Sequence, residues 1–113
     1  MAATNTALLT IGLPIAATIA QYQPLTATGA AASAAGNAVG FAQVAGVSGD
    51  RLPVVVAGTS IAIAGAAIAA GALVEVHTTV TQVVTKSAGV SIGRALMAAS
   101  AAGDQIEVLI IPQ

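Results

Sequence analysis

Ala69-Ala70-Gly71-Ala72-Leu73-Val74-Glu75-Val76-His77 is the stretch that decides the fold. Two small residues lead to a glycine, and apolar and polar side chains then alternate. Glycine takes a positive φ at no steric cost, so it suits the tight turn that launches a strand. Period-2 alternation puts Val74 and Val76 on one face of that strand and Glu75 and His77 on the other. The phrase recurs as Ala34-Ala35-Gly36-Asn37-Ala38-Val39-Gly40-Phe41 and as Ala101-Ala102-Gly103-Asp104-Gln105-Ile106-Glu107-Val108. In the last copy Ile106, Val108 and Ile110 share a face opposite Gln105 and Glu107.

Working outward, Pro53-Val54-Val55-Val56 is β-branched and stops at Gly58, and residues 59–64 alternate again through Ile61 and Ile63. Val80-Thr81-Gln82-Val83-Val84-Thr85 is rich in strand formers and ends at the turn Lys86-Ser87-Ala88-Gly89. The pattern predicts strands over 52–57, 59–64, 72–77, 80–85, 90–96 and 104–111. Strand signals at this spacing, punctuated by glycine, indicate a mainly β domain, a small barrel or sandwich. Alanine, the best helix former, leaves room for one short helix within residues 64–72, although Gly65 and Gly71 each cost it about 1 kcal/mol. Residues 27–35 are Ala/Ser/Thr/Gly-rich and read as a loop or a short helix.

The chain has 113 residues, enough for one domain with a modest core. Only 6% of residues carry charge, against a usual share of about 25%, while 57% are hydrophobic. Such a surface is covered by lipid or by other protein subunits. Residues 52–74 are uncharged and long enough to span a bilayer, but the summed insertion energy, roughly -3 to -5 kcal/mol from the strong inserters, is offset by Pro53 and three glycines. No Lys/Arg asymmetry orients such a span, so the reading is no membrane. Three dispersed cations form no phosphate-binding patch, which argues against nucleic acid. Cysteine is absent, so there are no disulfides and no thiolate chemistry. Glu75 and His77 have acceptable ligand spacing but lack a third ligand, and read as polar residues on the solvent face of a strand. Asp104 and Glu107 point to opposite strand faces, and no serine or glycine run has a catalytic or phosphate-loop setting. The expectation is no enzyme, no metal and no cofactor.

The N-terminal residues 1–20 read as an arm ahead of a β-rich domain at 21–113. Leu8, Leu9, Ile11, Leu13, Ile15 and Ile19 form an uncharged apolar stretch broken by Gly12 and Pro14. No basic residue precedes it, so it is not a secretory signal. Pro14 lacks the amide needed inside a helix or a central strand, which favours an edge strand or extended arm. An apolar edge invites pairing with another chain, and these six residues are the candidate partner-binding set. The alternative is that the stretch is the first strand of the domain's own barrel.

Gly71 to His77, then Val80-Thr81-Gln82-Val83-Val84, then Ile92-Gly93-Arg94-Ala95-Leu96, then residues 98–108 form a succession that resembles the tailed-phage capsid decoration proteins, also called cement or head-stabilising proteins. The resemblance covers residues 22–111 and is firmest from Gly71 onward; Arg94 stands where the family more often has an apolar residue. It implies a β-rich knob, commonly a homotrimer, that binds the major capsid protein on the capsid exterior and clamps neighbouring subunits. Such a protein is made in the host cytoplasm and resides in the virion. The readings weighed against it are another self-assembling structural subunit, fibre or pilus-like, and a small holin-like membrane protein.

Overall fold

β-branched residues between glycine and small-residue turns give strands throughout the described residues, 5–111, of this computed structural model. The strands are β1 (Ala7–Pro14), β2 (Pro24–Leu25), β3 (Gly40–Ala42), β4 (Arg51–Ile63), β5 (Leu73–Val76), β6 (Val83–Thr85), β7 (Gly93–Ala95) and β8 (Gln105–Ile110). They form one antiparallel sheet in the order β2-β3-β4-β8-β7-β5-β6, with β1 pairing β4 off that path, curled into a half-barrel. The strands expected over 52–57 and 59–64 are a single strand, β4, with Gly58 at φ 93° where the two halves meet. Those expected over 72–77, 80–85, 90–96 and 104–111 correspond to β5, β6, β7 and β8.

Among the described residues no helix forms, so the room left for one at 64–72 is used otherwise. Ile68 sits there in a two-way backbone bridge with Ala99 and is buried. Burial of a large aliphatic side chain and two hydrogen bonds outweigh the few tenths of a kcal/mol per residue that alanine's helix preference supplies. Residues 27–35 likewise form turns and a bridge between Leu25 and Ala31. The uncharged run 52–74 is therefore strand, bridge and strand, and among the described residues no helix is long and apolar enough to cross a membrane.

The architecture is an internal duplication. Ile19 and Gly46 exchange two backbone hydrogen bonds, as do Ile68 and Ala99. The Ile15 amide donates to the Asp50 carbonyl at 2.9 Å, and the Ala64 amide to the Asp104 carbonyl at 2.8 Å. Tyr22 donates to Ala42 and Gly71 to Ala95, each at 2.7 Å; Val39 donates to Leu25 as Ile92 does to Val74. Strand registers repeat in the same way: Leu13 opposite Leu52 matches Ala62 opposite Ile106, and Phe41 opposite Val55 matches Arg94 opposite Leu109. Residues 10–56 and 59–110 are thus two copies of one motif, and β4 serves both, ending the first and opening the second.

Two core clusters follow from this. The smaller holds Ile15, Ile19, Leu25, Ala42, Leu52 and Val54. Their counterparts Ala64, Ile68, Val74, Ala95, Ile106 and Val108 all lie in the larger one. The larger cluster also takes in Phe41 and Val55, which are paired across β3 and β4 on the face opposite Ala42 and Val54. The interior of the second copy therefore closes over the outer face of the first. Where strands cross most tightly, both copies carry glycine: a Cβ at Gly40 would lie 2.2 Å from the Val55 carbonyl oxygen, and one at Gly93 would lie 2.3 Å from Val108 Cγ1. The third expected glycine turn, at Gly36, is not among the positive-φ positions, and the strand there starts at Gly40.

Candidate functional site

The six apolar residues of the N-terminal stretch separate into three environments. Leu8 and Leu9 are 80% and 53% exposed, Ile11 and Leu13 are half-buried against the smaller cluster, and Ile15 and Ile19 are inside it. The stretch enters the sheet as β1, antiparallel to β4 from Ala7 opposite Gly58 to Pro14 opposite Arg51. A boundary at residue 20 falls inside one core, because Ile19 bridges Gly46 and Ile15 bonds Asp50. The accessible part of the candidate set is Leu8 and Leu9.

β1 has a strand partner on one side only among the described residues. Much of its other edge is blunted. The Arg51 side chain lies over Gly12, where a Cβ would be 3.2 Å from Arg51 Cδ, and its Nη1 donates to the Gly12 carbonyl at 2.8 Å. Pro14 offers no amide. A charged side chain and a proline are common ways of closing an edge to further pairing. What stays open is the segment around Leu8 and Leu9, where the register with β4 slips twice, between Ala7 and Leu9 and between Leu9 and Thr10.

Ahead of that slip, the chain is fastened by polar groups. Thr59 donates its amide to the Thr6 carbonyl at 2.9 Å, and the Thr6 amide donates to Thr59 Oγ1 at 2.8 Å. Ile61 donates its amide to Asn5 Oδ1 at 2.5 Å, while Asn5 Nδ2 donates to Gln43 Oε1 at 2.7 Å. Thr59 Oγ1 donates to Glu107 Oε2 at 2.7 Å, and Gln43 Nε2 donates to Ser60 Oγ at 3.0 Å. This network joins residues 5 and 6 to both copies of the motif. None of it was visible in the sequence, since Asn5, Gln43, Thr59 and Glu107 are far apart along the chain.

Glu75 and His77 serve the backbone. Glu75 is buried, 7% exposed, and not on a solvent face as the alternation predicts. Its Oε1 accepts the amides of Ser87 and Gly89 and so holds the turn between β6 and β7. His77 Nδ1 accepts the Thr79 amide at 3.0 Å. Among the described residues, no three His, Cys, Asp or Glu side chains gather into a metal-binding group.

A sequence model of the family described as phage cement protein matches residues 4–110, nearly the whole chain. The chain belongs to the phage cement protein family. No curated protein sequence matches it. Membership makes it a structural protein associated with the phage capsid, and its curled β-sheet carries that role on a scaffold of two fused copies. In this cement protein the exposed Leu8–Leu9 edge and the polar fastening beside it are the features that the packing of the fold leaves unexplained.

Proposed function

We propose that this cement protein binds the outer surface of a phage capsid, as a homotrimer, and stabilises contacts between subunits of the major capsid protein. The observation that carries the reading is an edge strand with two leucines in water. Exposed leucines at the open end of a strand edge are a liability in a free protein and a docking element in an assembly. An extended segment of the capsid protein would add beside Leu8 and Leu9, with backbone pairing for affinity and the two side chains buried for specificity. Arg51 and Pro14 confine the addition to that end of β1. Contacts of this kind contain few ions, so salt affects them little. Binding to the folded state alone also stabilises it by mass action. No chemical step and no cofactor enter this role.

The test is the double variant Leu8→Ser, Leu9→Ser. Both side chains are mainly exposed, so folding stability stays within about 0.5 kcal/mol of the parent. Purified heads should bind it at least tenfold more weakly in a co-sedimentation assay, a loss of about 1.4 kcal/mol. Binding to heads at parental affinity by a folded double variant would overturn the proposal. Analytical ultracentrifugation, in solution and of protein released from heads, checks the trimer.

A further inference from the structure

We propose that the N-terminal segment is exchanged between copies, so that Asn5 and Thr6 of one chain fasten to the β4 edge of a second copy of this chain. The inference goes beyond capsid binding and does not rest on it. The contacts that hold the segment are the Thr6–Thr59 pair, the Ile61 amide on Asn5, and the Asn5–Gln43 side-chain bond. All are hydrogen bonds that a second copy offers identically, so exchange remakes each contact that it breaks.

The joint that would let the segment swing out is already irregular. The first slip in register, between Ala7 and Leu9, lies opposite Gly58 at φ 93° and Ala57, and the second, between Leu9 and Thr10, follows at once opposite residues 55–57. On one side of the joint, β1 is anchored by Ile11, Leu13 and Ile15 against the smaller cluster. On the other side, among the described residues, the segment has no buried apolar side chain, since Leu8 and Leu9 remain 80% and 53% exposed. In the self-fastened form Leu8 gains little from folding and Leu9 leaves half of its surface in water. When the segment crosses to a neighbour, they lie at the crossing between two copies, where apolar surface can be covered. The occupant of the β4 edge is thereby defined: the extended segment bearing Asn5 and Thr6 of a second copy, which makes there the contacts that this chain makes within itself.

The chain has no cysteine, which allows a direct test. Thr6→Cys and Thr59→Cys are made separately, one with a mass tag, then mixed, refolded together and oxidised. A 6–59 crosslink in that mixture joins two chains. The expected result is a heterodimer band on a non-reducing gel, absent when either variant is oxidised alone and increasing with protein concentration. A mixture without heterodimer, together with a double Cys variant that closes solely within its own chain, overturns the proposal. Should Thr59→Cys fail to fold, deletion of residues 2–6 gives the second measurement. The shortened protein keeps both cores and should sediment as a monomer where the parent is oligomeric; an unchanged oligomer overturns the exchange.

Discussion

The two copies of the motif share their backbone wiring and differ in their side chains. Ile15 and Ala64 or Leu25 and Val74 hold matching places with different volumes, Leu52 and Ile106 with different branching, and the hydrogen-bond pairs around them are the same. Phe41 and Val55, on the outer face of the first copy, are buried under the second, whereas their counterparts Arg94 and Leu109 face solvent, Leu109 at 41%. Arg94 donates to the Gly71 carbonyl at 2.7 Å. The difference teaches which features the motif requires. Glycine where strands cross and a carboxylate at the last turn occur in both copies, and the outward side chains follow whatever covers them. A terminal unit with a polar outer face also ends a stacked array, as capping units do in longer repeats.

The largest expected effect lies at the bridging isoleucines. Ile19→Ala and Ile68→Ala each remove a fully packed side chain at equivalent places, and each should cost about 3 kcal/mol. Because β4 belongs to both copies, both variants should lower the midpoint of one cooperative transition in denaturant. If Ile19→Ala leaves that midpoint unmoved, residues 1–20 are a detachable arm and the duplication does not include them.

The β class was legible because alternation after Gly71 and Gly103 is a local signal, and β5 and β8 form where it places them. The N-terminal stretch was harder. Leu8 through Ile19 has no period that separates an arm from a strand, and the burial of its last two members arises from contacts with Gly46 and Asp50, some thirty residues on. The duplication was hidden for a physical reason. Its conserved content is backbone hydrogen bonding, to which side chains contribute little, so Tyr22 can stand where the second copy has Gly71. Glu75 misled because a carboxylate on a strand reads as a solvent-face residue, whereas two amides from the Ser87–Gly89 turn make its burial tolerable.

Tyr22 and Gly71 are an equivalent pair with a smaller expected effect. Both adopt positive φ, 64° and 88°, at the same place in the wiring. For a residue with a Cβ this costs on the order of 1 kcal/mol. A Cβ at Gly71 meets nothing within 4 Å, so backbone conformation alone sets the penalty there. Gly71→Ala should therefore destabilise by about 1 kcal/mol. Tyr22→Gly should change stability by less than about 0.5 kcal/mol, since relief of the same strain is offset by loss of a half-buried ring and a more flexible unfolded chain. Equal and opposite changes in thermal unfolding would mean that the Tyr22 ring contributes nothing.

The smallest effect concerns the carboxylates that close the last turn of each copy. Asp104 Oδ2 accepts the Ser100 amide at 2.9 Å, the Ser100 hydroxyl at 3.0 Å and the Ala101 amide at 3.2 Å. The Ser100 amide, then its hydroxyl, then the Ala101 amide hold the Asp104 carboxyl below its ordinary value of 3.8. Asp50 Oδ2 accepts the Val47 amide at 2.9 Å at the matching turn. A carboxyl with a depressed folded-state value stabilises the fold fully above the unfolded value, and that contribution disappears as pH falls through the folded one. Asp104→Asn retains one acceptor oxygen but fixes the neutral form. The parent should therefore melt slightly above Asp104→Asn at pH 6, and the gap should close as the pH drops below about 3.9. Asp50→Asn, with fewer donors to lose, should show a smaller gap at pH 6. A gap for Asp104→Asn that stays constant from pH 6 down to pH 2 would show that the three donors bind the neutral group as well as the charged one. The second copy's last turn would then owe its shape to backbone alone, as Gly103 at φ 92° and Gly49 at φ 96° already allow.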